Sequence, residues 1–148
     1  MSASDRNPTD LTWTAPTVAA GFKGEVRGGS LASQIARAVA IALKRSKKDR
    51  ADIANEMSAY LGERVSLAML NAYASEARTT HRITVERFMA LVEVTGCLDL
   101  LGLVAEPFGQ AVVASRYAAI IELHLIEEHQ RELDARKAEL LAVARSRP

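Results

Sequence analysis

A regular succession of helix starts and stops cuts the middle of this chain into short lengths, and that punctuation restricts the fold more than any other feature. Ser30, Asp49, Ser66 and Thr84 each stand just before an apolar periodic stretch, with a side-chain oxygen suited to a first-turn amide. Gly62 and Gly96 stand where a left-handed residue ends a helix. Between these marks apolar residues recur at three- and four-residue steps. The first helix presents Leu31, Ile35, Ala38, Val39, Ala42 and Leu43, and the second Ile53, Ala54, Met57, Tyr60 and Leu61. The third turns Met69, Leu70 and Tyr73 inward, and the fourth Phe88, Leu91 and Val92. A fifth apolar piece, residues 98–104, runs up to Pro107 and Gly109. The expected fold is all-α.

What surrounds these helices differs at the two ends. Residues 1–30 read as an irregular arm, broken by Pro8, Pro16 and four glycines, with Trp13, Val18, Phe22 and Val26 available for docking. Residues 31–109 hold the five helices. Residues 110–148 read as one long helix over roughly 111–144, about 50 Å at 1.5 Å per residue. Its first half is apolar over a wide face through Tyr117, Ile120, Ile121, Leu125 and Ile126. Ile126, Leu133 and Leu140 then repeat every seven residues, but the partner column of Glu122, His129 and Arg136 is polar, so only half a coiled-coil seam is present. Too apolar to stand alone in water, this helix is expected to pair with a second copy. Tyr117, Ile120, Ile121, Ile126, Leu133 and Leu140 are its candidate oligomerisation residues.

Composition narrows the function. The 148 residues suffice for one domain with an appendage, and their net charge of +1 gives almost no general attraction to nucleic acid. Any such attraction must come from local clusters. Cys97 is the only cysteine, too few for an internal disulfide or a thiolate metal site and in keeping with a reducing cytosol. The polar start lacks the layout of a signal peptide, and no stretch has the roughly 20 apolar residues of a membrane span. The expected location is cytoplasmic, with no membrane partner.

The strongest constellation is the second and third helices with the turn between them. Ile53, Ala54 and Met57 sit where one helix packs closely on the next, Val65 and Ser66 open the second of the pair, and Leu70 and Tyr73 anchor it. Five helices in this order resemble the lambda-repressor-like helix-turn-helix DNA-binding domain. More narrowly, the run Met57-Ser58-Ala59-Tyr60-Leu61-Gly62-Glu63-Arg64-Val65-Ser66 is similar to small regulators of transposable, Mu-like phages and prophages. The same holds for Met69-Leu70-Asn71-Ala72-Tyr73, Arg78, His81-Arg82 and Val94-Thr95-Gly96. The likeness covers residues 31–109. It implies a sequence-specific DNA-binding transcriptional regulator acting on double-stranded DNA as a homodimer or higher oligomer.

Two departures from that family's pattern stand out. Ser58 occupies the usual glycine position, and residues 59–64 behave as an insertion that lengthens helix and turn. The third helix also offers Leu67, Ala68, Asn71, Ala72 and Ser75 outward, with no arginine among them. Asn71 suits adenine, and Ala68 or Ala72 a thymine methyl. The cations lie at the borders: Lys44, Arg45, Lys47, Lys48 and Arg50 before the second helix, Arg64 before the third, and Arg78 and Arg82 with Thr79, Thr80 and His81 after it. Lys47, Lys48, Arg64, Arg78 and Arg82 are candidate phosphate contacts, Asn71 and Ser75 candidate base contacts, and Ser66 and His81 complete the DNA-binding set. Part of the lysine run is equally explained as cations at a helix C-terminus.

Other chemistry is poorly represented. Gly21-Phe22-Lys23-Gly24 has the spacing of the KH-domain clamp without that domain's strands, and no Gly-Lys-Ser/Thr follows to make a phosphate loop. His124 with Glu128 is spaced for one metal, but two ligands are too few. Cys97 reads as a small buried apolar residue. Glu127 and Glu128 read as charges on an exposed helix rather than a catalytic carboxylate pair. No catalytic residue, metal, cofactor or small-molecule substrate is expected. The rival to DNA binding is a helical protein-interaction or assembly module, of a phage accessory or antitoxin-like kind, because the apolar outer face of the third helix also suits a protein groove.

Overall fold

A computed structural model describes residues 16–78 and 80–147. Trp13 and Thr79 lie outside these residues. Six α-helices follow in order: α1 (Leu31–Arg45), α2 (Arg50–Leu61), α3 (Leu67–Tyr73), α4 (Val85–Thr95), α5 (Asp99–Ala105) and α6 (Ala118–Ser146). The described residues contain no β-strand, only an isolated antiparallel bridge between Ala19 and Val112.

Local chemistry accounts for the boundaries. The hydroxyls of Ser30, Ser66 and Thr84 accept the backbone N–H groups of Ser33, Met69 and Arg87, capping α1, α3 and α4. Gly62 and Gly96 end α2 and α4 with φ of 69° and 65°, a conformation that costs a residue with a Cβ about 1–2 kcal/mol. Asp49 occupies the cap position of α2 in extended backbone, but its side chain makes no capping bond, contrary to expectation.

The chain divides into two compact units, one running Val18–Val112 and the other containing residues 113–147. The first unit is built on one hydrophobic core, with Phe22, Val39, Ile53, Met57, Leu70, Leu91 and Leu100 fully buried at its centre. Each such side chain gains about 1.5–3 kcal/mol by leaving water. The segment expected to be irregular contributes to this core. Gly21–Gly24 forms a 3-10 turn with Phe22 beneath it, and Val26 is buried as well. The side chains of Asp99, Arg45 and Arg37 hold it in place. The Ala20 N–H donates to Asp99 Oδ1 at 3.0 Å, Arg45 lies 5.2 Å over the Phe22 ring, and the Arg37 guanidinium donates to the carbonyls of Val26, Arg27 and Gly28.

Some faces differ from the periodic reading. Leu31, Tyr60 and Val18 are exposed rather than inward, whereas Ala72, expected outward, is buried. Leu31 stands in the first turn of α1, on the open side of a recess it lines with Tyr73 and Ile83. α3 packs against both α1 and α2, and Arg87 of α4 reaches Met69 and Tyr73, so its buried arc is wider than a one-sided contact would make it. Ala72 therefore cannot meet a thymine methyl.

The second unit begins with a 3-10 turn, Ser115–Tyr117, and continues as α6. The long helix thus starts at Ala118, seven residues after the expected point. None of its residues is buried. Tyr117 precedes it, half-buried, with the Arg116 guanidinium 4.9 Å over its ring. No helix among the described residues is long and apolar enough to cross a membrane.

Candidate nucleic-acid interface

The α2–α3 pair is joined by a hydroxyl. α2 runs past Ser58 for a further turn to Leu61, and residues 62–66 bring the chain back to α3. Ser58 Oγ donates to the Ala54 carbonyl at 2.7 Å and accepts the Val65 N–H at 2.8 Å. Ser58 thereby fastens the turn back onto α2. α4 secures the other side. Arg87 donates to the Tyr73 hydroxyl, to Glu63 Oε1 at 3.2 Å and to Met69 Sδ at 3.6 Å. Its hydrogen bond to Tyr73 is the main cause of a pKa raised above the ordinary arginine value, ahead of the pull of Glu63 and against partial burial. The angle at which α3 is presented is thus set by contacts the helix pattern does not display.

The candidate cations fall into three groups. Lys44, Lys47, Lys48 and Arg50 line a shallow concavity of about 530 Å³ at the junction of α1 and α2. Arg64 is exposed on the α2–α3 turn, beside a groove edged by Asn55, Ser58 and Leu67. Arg78, His81 and Arg82 surround a smaller recess of about 230 Å³ against the N-terminal end of α1, with Ser75 in its wall. α1 is 15 residues long, so about 22 Å of helix lies between the first and third groups.

Within these groups the side chains are differently committed. The Lys48 ammonium donates to Glu56 Oε2 at 2.7 Å and to the Val94 carbonyl at 3.0 Å, which ties it to α2 and α4. Arg45 pairs with Glu25 at 2.7 Å and Asp99 at 2.9 Å, so its charge holds the Gly21–Gly24 turn rather than facing solvent alone. Lys44 and Lys47 are exposed. Lys47 adopts a left-handed backbone, φ 58°, at the bend between α1 and α2. Arg78 and Arg82 are exposed, and the ring of exposed His81 contacts the Thr80 hydroxyl at 3.1 Å.

On α3, Ser66 serves as the cap, Ser75 is half-buried just beyond the helix, and Asn71 is exposed. The structure adds a partner that sequence spacing did not reveal. Arg50 donates to Asn71 Oδ1 at 2.8 Å, connecting the basic concavity directly to the outward face of α3. Bidentate adenine recognition, as expected of Asn71 from the sequence, would use that same oxygen together with the amide N–H.

Elsewhere, His124 lies 3.5 Å from Glu128 as a surface pair on α6. No group of three or more potential metal ligands occurs among the described residues. No known protein family, curated protein or solved structure matches this chain.

Proposed function

We propose that this protein is a sequence-specific double-stranded-DNA-binding regulator of the phage or prophage type, in which a lambda-repressor-like helix-turn-helix docks α3 into the major groove. The observation that carries this reading is the junction of Arg50 with Asn71. It makes one continuous polar surface from the lysine concavity to the exposed side of a short, well-anchored helix. Phosphates next to Lys44 and Lys47 would position the duplex, and Arg50 and Asn71 would meet base edges once their mutual hydrogen bond opens. Arg64, Arg78 and Arg82 border the same two-helix unit and extend the phosphate contacts. Self-association through α6 supplies the second copy needed for a two-fold operator. No catalytic step belongs to this reading, and the expected setting is the cytoplasm.

A salt titration of binding to random duplex DNA tests it. The logarithm of affinity should fall steeply and linearly with the logarithm of salt concentration. The slope should shrink by about two when Lys44 and Lys47 become Ala, and by less for Lys48→Ala, whose ammonium is already paired. Absence of binding at low salt would refute the proposal.

The second reading, a protein-interaction module, is favoured by Leu67 and Ala68, which leave an apolar strip exposed at the start of α3. Salt-insensitive capture of a partner protein with no DNA affinity would select it.

A further inference from the structure

α6 carries an asymmetric distribution of charge along its length. Over residues 118–132, Glu122, Glu127, Glu128 and Glu132 are opposed by Arg131 alone. Over residues 133–147 the balance reverses, with Arg136, Lys137, Arg145 and Arg147 against Asp134 and Glu139. Both halves also expose large apolar side chains. Ile120, Ile121, Leu123, Leu125 and Ile126 occupy the acidic half, and Leu133, Leu140, Leu141 and Val143 the basic half. A 29-residue helix with no buried residue and this much exposed hydrocarbon gains by pairing.

We infer that α6 pairs antiparallel with α6 of a second copy, acidic half against basic half. The inference rests on the proposed self-association and adds its orientation. A parallel pair would stack four glutamates against four glutamates at one end and excess cations at the other. The antiparallel pair sets Glu127 and Glu128 level with Lys137 and Arg136 of the second copy, away from the centre of the overlap, and apposes the two helix dipoles head to tail, each a favourable term at surface separations. Apolar residues remain available on both sides of every layer, because both halves supply them.

α6 spans about 44 Å at 1.5 Å per residue. Full antiparallel overlap therefore places the two Ala118 ends about that far apart, and a parallel pair would bring them together.

Two measurements on the 148-residue chain decide this. The first is the dimer dissociation constant, by sedimentation equilibrium, for Glu127→Gln with Glu128→Gln. Antiparallel pairing predicts about tenfold weakening, through loss of four exposed charge attractions per dimer. Tightening, as expected on relieving acid–acid repulsion, overturns the inference, and so does an unchanged constant. The second is cross-linking with a short bis-maleimide in a Cys97→Ser background. Ile126→Cys and Leu140→Cys variants, on the same face as Leu133, should link efficiently when mixed and poorly alone, while Leu133→Cys near the helix centre should link to itself. Self-linking of Ile126→Cys without mixed products also overturns it.

Failures of the two readings are distinguishable. A monomeric wild type removes the dimer and its orientation together. A dimer with the parallel pattern removes the orientation alone. Antiparallel dimers that ignore DNA at low salt remove the DNA reading and leave the helix pairing standing.

Discussion

Arg50 Nη1 donates to Asn71 Oδ1 across 2.8 Å and 21 positions of sequence, joining the first turn of α2 to the outer face of α3. Both side chains reach solvent, so the bond contributes little to stability. It engages the same Asn71 oxygen that the proposed base contact would use.

Arg50→Ala and Asn71→Ala should each change folding stability by less than about 1 kcal/mol, as for other exposed polar pairs. On a preferred DNA site, loss of Asn71 should cost about 1–3 kcal/mol, while affinity for random DNA stays nearly constant. Equilibrium denaturation together with binding to both kinds of duplex separates these effects. Equal losses on both duplexes would make Asn71 a non-specific contact.

Lys47 provides a test of whether the bend between α1 and α2 is kept for its charge. A lysine at φ 58° bears a left-handed penalty of about 1–2 kcal/mol that glycine avoids, at some entropic cost in the unfolded chain. Lys47→Gly should therefore raise stability by about 0.5–1 kcal/mol in urea denaturation. The same variant should bind random DNA more weakly and with a shallower salt slope.

Ser58→Ala removes the acceptor for the Val65 N–H, and Val65 is buried. The amide left without its partner should cost about 1–2 kcal/mol, after a small gain in helix propensity. Thermal unfolding should show a lowered midpoint. Faster hydrogen exchange should be confined to the amides of residues 62–66.

Gly102 of α5 is buried directly beneath the segment that precedes the 3-10 turn. A Cβ built there falls against the Ala19 carbonyl and the Gly21 amide, both backbone groups. Gly102→Ala should destabilise the Val18–Val112 unit by about 3 kcal/mol or more, the range expected when a rigid core has no room to give. Exposure of Phe22, followed by hydrogen exchange at residues 20–26, should accompany the loss.

Cys97 supplies the pH dependence. Burial is the main cause of a thiol pKa raised above its ordinary value near 9.0, with nearby Asp99 adding to the rise and Arg45 opposing it. A pKa raised by folding means that the native state holds the proton more tightly than the unfolded chain. This group's stabilising contribution is therefore complete below the ordinary thiol pKa and is lost as pH rises through the folded value. Native protein should react slowly with a thiol reagent at neutral pH, and the unfolded chain faster. Cys97 is half-buried rather than fully buried as its sequence position suggested, and equal rates would contradict even that partial shielding.

The boundaries of α1 to α4 were largely legible in the sequence, because a cap closes within one turn of its own residue, whereas the uncapped start of α6 was not. Ser30, Ser66 and Thr84 bond amides three positions away, and Gly62 and Gly96 reverse the chain by their own backbone freedom. The exposure of Lys44, Lys47, Arg64, Arg78 and Arg82 was legible for a similar reason, since solvated cations need no partner. The sequence could not decide which flank of each helix met another. Tyr60 and Ala72 exchanged the roles their periodicity assigned, because burial depends on how many neighbours a helix touches as well as on its own stripe. Nor did spacing show which cations would be engaged. Lys48 reaches Glu56 and Val94, Arg45 reaches Glu25 and Asp99, and Arg50 reaches Asn71. Those bonds join groups 8–54 positions apart through long side chains. Only packed helices bring their ends within hydrogen-bond distance, so local chemistry determined the elements and tertiary structure decided the surface they present.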